Sequence, residues 1–405
     1  MLTAELREDF PILKVEVNGR QLIYFDNAAT TQKPRQVIEA EREFYERLNA
    51  NVHRGIHYLS REASELYERA HETLARFINA DADEVIFTSN TTDAINIVAW
   101  GWAVWNIRSG ERIVTTEMEH HSNMLPWRLV ARLTGCEVAY VGVDEEGVPR
   151  MEEAERLIDE RTKLVAISGM SNVTGFIPDI EGFIKLAREV GALVLVDGAQ
   201  MVPHMPVDVK KLDVDFLAFS GHKMLGPTGT GVLYGKREVL AEMEPAKPGG
   251  GTIEDVTLDG QSWAELPWRQ EGGTPNIAGG IGLAAAAEYL MRVGMERVRA
   301  HEVNLTERAL ELLSEVEGLI LYGPRDARRR GGIVAFNVKG IDPHMVGALL
   351  DARGIAVRTG LHCAHPLHRR MGAPQGTVRA SFYLYNTEEE VEVLADELRG
   401  ISRLS

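Results

Sequence analysis

The chain has 405 residues, 44% of them hydrophobic, and a formal net charge of −16. This length can bury a large core and corresponds to about two domains. The acidic balance speaks against a general nucleic-acid binder, which needs a basic surface, and no apolar run reaches the roughly 18 residues of a membrane span.

Cys136 and Cys363 are the only cysteines, too few for a disulfide framework and in keeping with a reducing cytoplasm. The opening segment carries Glu5, Glu8 and Asp9 and lacks the apolar core of a secretion signal. Apolar runs at 85–88, 112–116, 137–141, 164–168, 192–197, 216–220 and 231–234 predict seven strands. Helical periodicity at 92–105, 125–133, 151–158 and 180–190 falls between several of them. Such alternation predicts an α/β domain whose mostly parallel sheet lies between helices. Ligands of these sheets bind beyond the carboxyl ends of the strands, where 88–92, 168–172, Asp197 and Ser220 fall. The glycine-rich segments 248–251 and 272–275 bracket a loop region. One long helical pattern, about 281–300, leads into a smaller α+β region with strands at 333–338, 355–358 and 378–382 and helices at 343–351 and 388–399. The expected division is a large domain over 22–283 and a small one over 284–405, completed by 1–21.

Lys223 follows an apolar strand in Phe219-Ser220-Gly221-His222-Lys223, and Asp197 ends another. Pyridoxal phosphate (PLP) needs such a pair: an amine for its aldehyde and a carboxylate for its ring nitrogen. A lysine shielded from water and near other cations has a lowered pKa and forms a Schiff base readily. Ser89-Asn90-Thr91-Thr92 opens a helix after a strand, so its N–H groups and hydroxyls can receive a phosphate, together with Ser220 and His222. His120 and His121 lack the usual zinc-ligand spacing, and stacking of a flat imidazole on the pyridine ring is the better use. Cys363 lies in a glycine-containing loop beside Arg358, His362 and His365, which can favour its thiolate. Arg379 is a natural clamp for an amino-acid carboxylate. The glycines of 226–231 precede a strand rather than a helix and do not form a nucleotide loop.

Together these segments, with Asp26-Asn27-Ala28-Ala29, Val52-His53-Arg54-Gly55, Ser171-Asn172-Val173-Thr174-Gly175, Gly273-Thr274-Pro275-Asn276 and Arg379-Ala380-Ser381, resemble the class V aminotransferase-like PLP enzymes of fold type I. Within them, the chain is similar to the group II (SufS/CsdA-type) cysteine desulfurases. The resemblance implies conversion of L-cysteine to L-alanine with the sulfur held on Cys363 as a persulfide, in supply of iron–sulfur cluster or other sulfur-cofactor assembly. Selenocysteine lyase and cysteine sulfinate desulfinase use the same scaffold. By the same resemblance Lys223 is the Schiff-base lysine, Asp197 meets the ring nitrogen, Gln200 the phenolic oxygen, and His120 stacks on the ring. Thr91, Thr92, Ser220 and His222 hold the phosphate, with Thr274 reaching a partner subunit's phosphate across a homodimer. Asn172, Arg379 and Arg358 face the substrate, as do the segments carrying His53, Arg54, Asn27 and Ala28. No metal is implied, and a sulfur-acceptor protein is. Leu361 stands where such enzymes commonly carry a polar residue, and the link from Arg358 to Cys363 is short. The expectation is a restrained nucleophile that is slow without an activating partner.

Overall fold

The computed structural model describes residues 4–404. Its centre is a seven-stranded sheet built from β1 (Val85–Thr88), β2 (Arg112–Thr116), β3 (Glu137–Val141), β4 (Thr162–Ser168), β5 (Leu193–Asp197), β6 (Phe216–Ser220) and β7 (Gly231–Gly235). The spatial order is β1-β7-β6-β5-β4-β2-β3. The pairs from β6 through to β3 are parallel, and β7 runs antiparallel to both β1 and β6.

Why these runs read as unbroken apolar stretches is visible in the packing. Val165 and Ile167 enter one buried cluster, Leu164 and Ala166 another. The same alternation places Val194 and Val196 on one face of β5 and Leu195 on the other. A sheet covered on both faces needs apolar residues at every position, and each fully buried Val or Leu contributes about 1.5–3 kcal/mol.

Two helices precede the sheet and were not expected: α1 (Arg35–Arg47) and α2 (Tyr58–Ile78). His57 caps α2 by accepting from the Ser60 N–H, and Asn79 closes it in the left-handed conformation at φ 57°. Next comes α3 (Thr91–Val98), whose first turn is capped by Asn90 accepting from the Asp93 N–H at 2.9 Å. It continues through a π-helical turn, Ala99–Ala103. The expected helices between strands are present as α4 (Leu125–Thr134), α5 (Met151–Leu157) and α6 (Ile180–Glu189).

The long pattern near 281–300 is two helices, α7 (Ile277–Val293) and α8 (Met295–Ser314). Gly294 separates them at φ 90°, a conformation open to glycine and costly for other residues. The glycine-rich region carries a hairpin, Ile253–Val256 with Gln261–Trp263.

A second core surrounds an antiparallel sheet of β8 (Leu319–Tyr322), β9 (Ile333–Val338), β10 (Arg358–Gly360) and β11 (Thr377–Ser381), in the order β8-β9-β11-β10. It is completed by α9 (Pro343–Asp351) and α10 (Glu388–Ser402), the latter opened by a capping box of Thr387 and Glu390. The expected strand at 355–358 divides. Ile355–Ala356 pairs in parallel with Ile23–Tyr24, and Arg358–Gly360 joins β11. Phe10 and Leu13, within the 1–21 segment, bury themselves in the core of the larger sheet, while Phe25 joins the smaller core. Residues 1–3 of that segment lie outside the described residues.

Candidate active site

A cavity of about 490 Å³ opens at the carboxyl ends of the parallel strands, between the two cores. Asp197 ends β5, Ser168 ends β4 and Ser220 ends β6, so the fold delivers three polar side chains to one wall. Lys223 enters from the 3-10 turn that follows Ser220. Burial holds its ammonium below the ordinary 10.5, at about 8. Arg379 and Arg358 push the same way, and Asp197 and Cys363 oppose. Asp197 is buried, which raises its carboxyl despite the Ala199 N–H donated at 3.0 Å and the charge of Lys223. Buried Gln200 donates Nε2 to the Ala28 carbonyl at 2.7 Å and leaves its Oε1 without a partner.

His120 accepts the Ser122 N–H on Nδ1 at 3.1 Å. Burial, with Lys223, His121 and Arg379 nearby, takes its pKa down to about 3. It is therefore a neutral ring carrying its proton on Nε2. Thr91 meets Ser220 twice: its N–H donates to Ser220 Oγ at 2.8 Å and the two hydroxyls share a bond of 2.7 Å. The Thr92 and Ser122 hydroxyls are 2.6 Å apart. With Asn90 they line the cavity at the start of α3, where the helix dipole and the clustered hydroxyls favour an anion. Burial lowers His222 to about 4, with Lys223 and Lys33 adding to the effect.

The smaller core supplies the other wall. Arg379, on β11, is buried and donates Nη1 to the Asn172 carbonyl at 2.7 Å, while its Nε has no partner. Burial brings even this guanidinium down to about 10. Arg358 forks onto Asp26, with Nε at 3.0 Å and Nη2 at 2.7 Å from its oxygens. Arg379 approaches the same carboxylate at 3.6 Å.

Cys363 is a free, exposed thiol on the cavity rim. Its loop is short and held. His362 and Cys363 both adopt positive φ, 44° and 55°, which costs non-glycine residues energy unless the surroundings enforce it. The enforcing bonds come from the side of the larger sheet: Asn172 Nδ2 donates to the His362 carbonyl at 2.6 Å, and the His121 N–H donates to the Cys363 carbonyl at 2.8 Å. His362 turns its Nε2 toward Thr377 and is pushed by burial to about 2, so it stays neutral. Half-buried Leu361 offers no proton.

Four of the expected positions, Asn27, His53, Arg54 and Thr274, are not brought to this cavity. Asn27 is fully buried below Ala28, donating to the Tyr24 and Ser381 carbonyls and to Asn386 Oδ1, and accepting from the Tyr385 hydroxyl. Its surroundings are those of a structural amide. His53 packs on the ring of Trp268, 4.2 Å between centroids, and Arg54 follows it on the exposed surface. Thr274 lies elsewhere too, in a cavity of about 170 Å³ with Tyr67, Asp93 and Lys247.

The residues that do converge fit a phosphorylated pyridine aldehyde. They provide a lowered amine, a buried carboxylate, a neutral ring and a helix start with hydroxyls. The class-V aminotransferase family model matches residues 23–394. The chain belongs to the class-V aminotransferase family.

Among members of the family, a probable cysteine desulfurase of Halalkalibacterium halodurans is 50% identical over 395 residues, covering 97% of this chain and 96% of the relative. The cysteine desulfurase of Haloferax volcanii is 46% identical, covering 98% and 96%. Among solved structures, the apo cysteine desulfurase of Thermococcus onnurineus superimposes with a TM-score of 0.95 at 44% identity, covering 100% of this chain and 99% of that one. The Escherichia coli cysteine desulfurase CsdA does so with a TM-score of 0.91 at 38% identity, covering 99% and 98%.

Some residues of this class-V site escaped the sequence reading. Asp26 gathers both arginines, and His121 anchors the cysteine loop through its backbone, while its Nε2 lies 3.0 Å from His365 Nδ1. Glu119 is wholly buried and accepts from Thr116 Oγ1, Asn123 Nδ2, and the N–H and hydroxyl of Ser168, tying the His120 turn to β4. Burial lifts its carboxyl to about 7 against those four bonds. Each lay inside or beside a recognised motif, but the partners that reveal its role are distant in sequence.

Proposed function

We propose that this protein is a PLP-dependent cysteine desulfurase that converts L-cysteine to L-alanine and keeps the released sulfur on Cys363 as a persulfide. The observation that carries the reading is convergence: Cys363, from the smaller domain, lines the same cavity as Lys223 and Asp197, from the larger. Lys223 and Asp197 alone suit many PLP reactions, whereas a rim thiol supplies a place for sulfur.

PLP, when bound, supplies the electron sink that makes the substrate Cα proton acidic and the Cβ–S bond labile. Lys223 holds the cofactor aldehyde at rest and then carries a proton, a role suited to an amine titrating near 8. Asp197 keeps the ring nitrogen protonated, and His120, neutral and fixed by Ser122, packs on the ring. Thr91, Thr92, Ser220 and His222 receive the phosphate. Gln200 would donate its second Nε2 hydrogen to the phenolic oxygen, the first going to the Ala28 carbonyl. Arg379 and Asn172 grip the substrate carboxylate, and Arg358 stands by on the cysteine strand. The Cys363 sulfur then attacks the substrate sulfur. The new S–S bond forms as the Cβ–S bond breaks, its electron pair stays on Cβ, and a proton completes alanine, so no external oxidant enters.

We further propose a homodimer, in which Thr274, with the segment around His53 and Arg54, meets the partner's cavity. The position of Thr274 away from its own cavity supports this, as do the exposed apolar side chains Tyr45, Ile56 and Tyr58. The exposed Cys363 suits transfer to an acceptor protein, in supply of iron–sulfur cluster assembly in the cytoplasm. No helix among the described residues is long and apolar enough to cross a membrane. In this reading the chain divides into a large domain over 22–283 and a small one over 284–405 with 1–21, the division falling within α7.

Mass spectrometry after a single turnover with L-cysteine tests the proposal. One added sulfur atom on the Cys363 peptide is expected, and its loss together with sulfur release in Cys363→Ala. Unchanged sulfide release from that variant would refute the persulfide route and favour lyase or desulfinase chemistry.

A further inference from the structure

The peptide carbonyl just before Lys223 draws four donors. His222 O accepts the Thr31 N–H at 2.9 Å, the Thr30 hydroxyl at 3.0 Å, the Thr31 hydroxyl at 3.2 Å and the Lys33 ammonium at 3.0 Å. A carbonyl oxygen has two lone pairs, so two donors would satisfy it. Here one short segment supplies twice that number, and one donor is a cation.

The same segment also holds the far side of the turn. The Thr31 hydroxyl accepts the N–H of Leu225 at 2.9 Å, and Leu225 sits at φ 67°, the left-handed region that a branched residue adopts only when held there. Residues 30–33 therefore clamp the chain immediately before and after Lys223. Lys33 is unusual in its own right. Its amine also donates to the Thr31 carbonyl at 2.6 Å, and burial takes it down to about 7, with Glu41 opposing from a distance. Withdrawing an ammonium from water onto carbonyls alone is costly, and an apolar side chain could fill the same space more cheaply.

We propose that Lys33 is a positioning residue for Lys223: its ammonium, acting with Thr30 and Thr31, fixes the plane of the His222–Lys223 peptide and so the direction in which the Lys223 amine enters the cavity. The proposal rests on the assignment of Lys223 as the Schiff-base lysine.

Full-length apo-protein mixed with PLP gives the test, followed by absorbance at about 420 nm, where a lysine–PLP adduct absorbs. Lys33→Met keeps the stem and removes the donors. It is expected to slow appearance of the band by about tenfold, the scale of one charge-assisted hydrogen bond, and to move the pH midpoint of the band. Lys33→Arg restores a charged donor and is expected to recover the wild-type rate to within about threefold. A wild-type rate and midpoint in Lys33→Met would overturn the proposal, as would a Lys33→Arg no better than Lys33→Met, since a purely space-filling stem behaves that way. If Lys33→Met does not fold, Thr30→Val removes another donor to the same carbonyl, and a rate indistinguishable from wild type overturns the clamp. Absence of the band in wild type refutes the assignment of Lys223, and this role with it. A normal wild-type band with no effect at Lys33 refutes the positioning role alone.

Discussion

An amine that titrates near 8 rather than 10.5 has roughly 300-fold more of its population neutral at pH 7. In apo-protein, Lys223 is therefore expected to react with a neutral-amine reagent far faster than an exposed lysine. Brief labelling pulses over about pH 6 to 11, followed by peptide mass spectrometry, give its midpoint directly. The neighbouring charges fix the signs of two variants. Arg379→Gln removes a cation that holds the midpoint down, and the midpoint is expected to rise. Asp197→Asn removes the anion that holds it up, and the midpoint is expected to fall below 8. Linkage gives the same residue a second signature. Between about 8 and 10.5 the unfolded chain binds the Lys223 proton and the folded chain does not, so this residue's contribution to stability grows as pH rises through that window. A wild-type midpoint at or above about 10, or shifts of the same sign in both variants, would show that burial does not control this amine.

Asp26→Ala strands Arg379 as a buried cation and frees Arg358. Chemical denaturation of the apo-protein is expected to show a loss of about 3 kcal/mol, with a raised KM for L-cysteine, and a loss below about 1 kcal/mol would contradict the pairing. Glu119→Gln places an amide donor among four existing donors. A loss of about 1–3 kcal/mol is expected from the stranded group, and activity should fall with it as the His120 turn loosens. Glu119 also gives a pH sign. Its carboxyl is lifted from 4.5 to about 7, so its contribution is full below about 4.5 and is lost as pH rises through about 7. Comparing wild type with Glu119→Gln across that range by thermal denaturation checks the sign. A Cβ on Gly376 would lie 2.5 Å from the Gly360 carbonyl carbon, at a φ of 96°. Gly376→Ala is expected to push β10 from β11, cost at least about 2 kcal/mol, and lower the yield of Cys363 persulfide.

The sheet was largely legible because its strands are short, uniformly apolar and ended by polar residues. The runs at 85–88, 112–116, 137–141 and 216–220 match the observed strands residue for residue. The helices α1 and α2 were not read because they precede β1, where strand–helix alternation has not begun. The interruption at Gly294 hid inside apolar periodicity that continues on both sides. Most of the residues singled out, from Thr91 to Arg379, do line one cavity. Asn27 does not, since its role depends on carbonyls and amides some 350 residues away that only the folded chain assembles. The roles of Asp26 and Lys33 could not be read for the same reason: a carboxylate or an amine acquires its meaning from what it faces.

The two carbonyl anchors of the cysteine loop have a mechanical consequence. The loop leaves and re-enters the smaller sheet, but Asn172 and His121, which grip its peptide groups, follow strands of the larger one. Cys363 thus sits on a strut bridging two bodies. Any outward displacement of Cys363 would have to break both bonds or carry the smaller sheet with it. The position of the thiol is thus set by backbone bonds on both sides of the cleft, not by its own side chain.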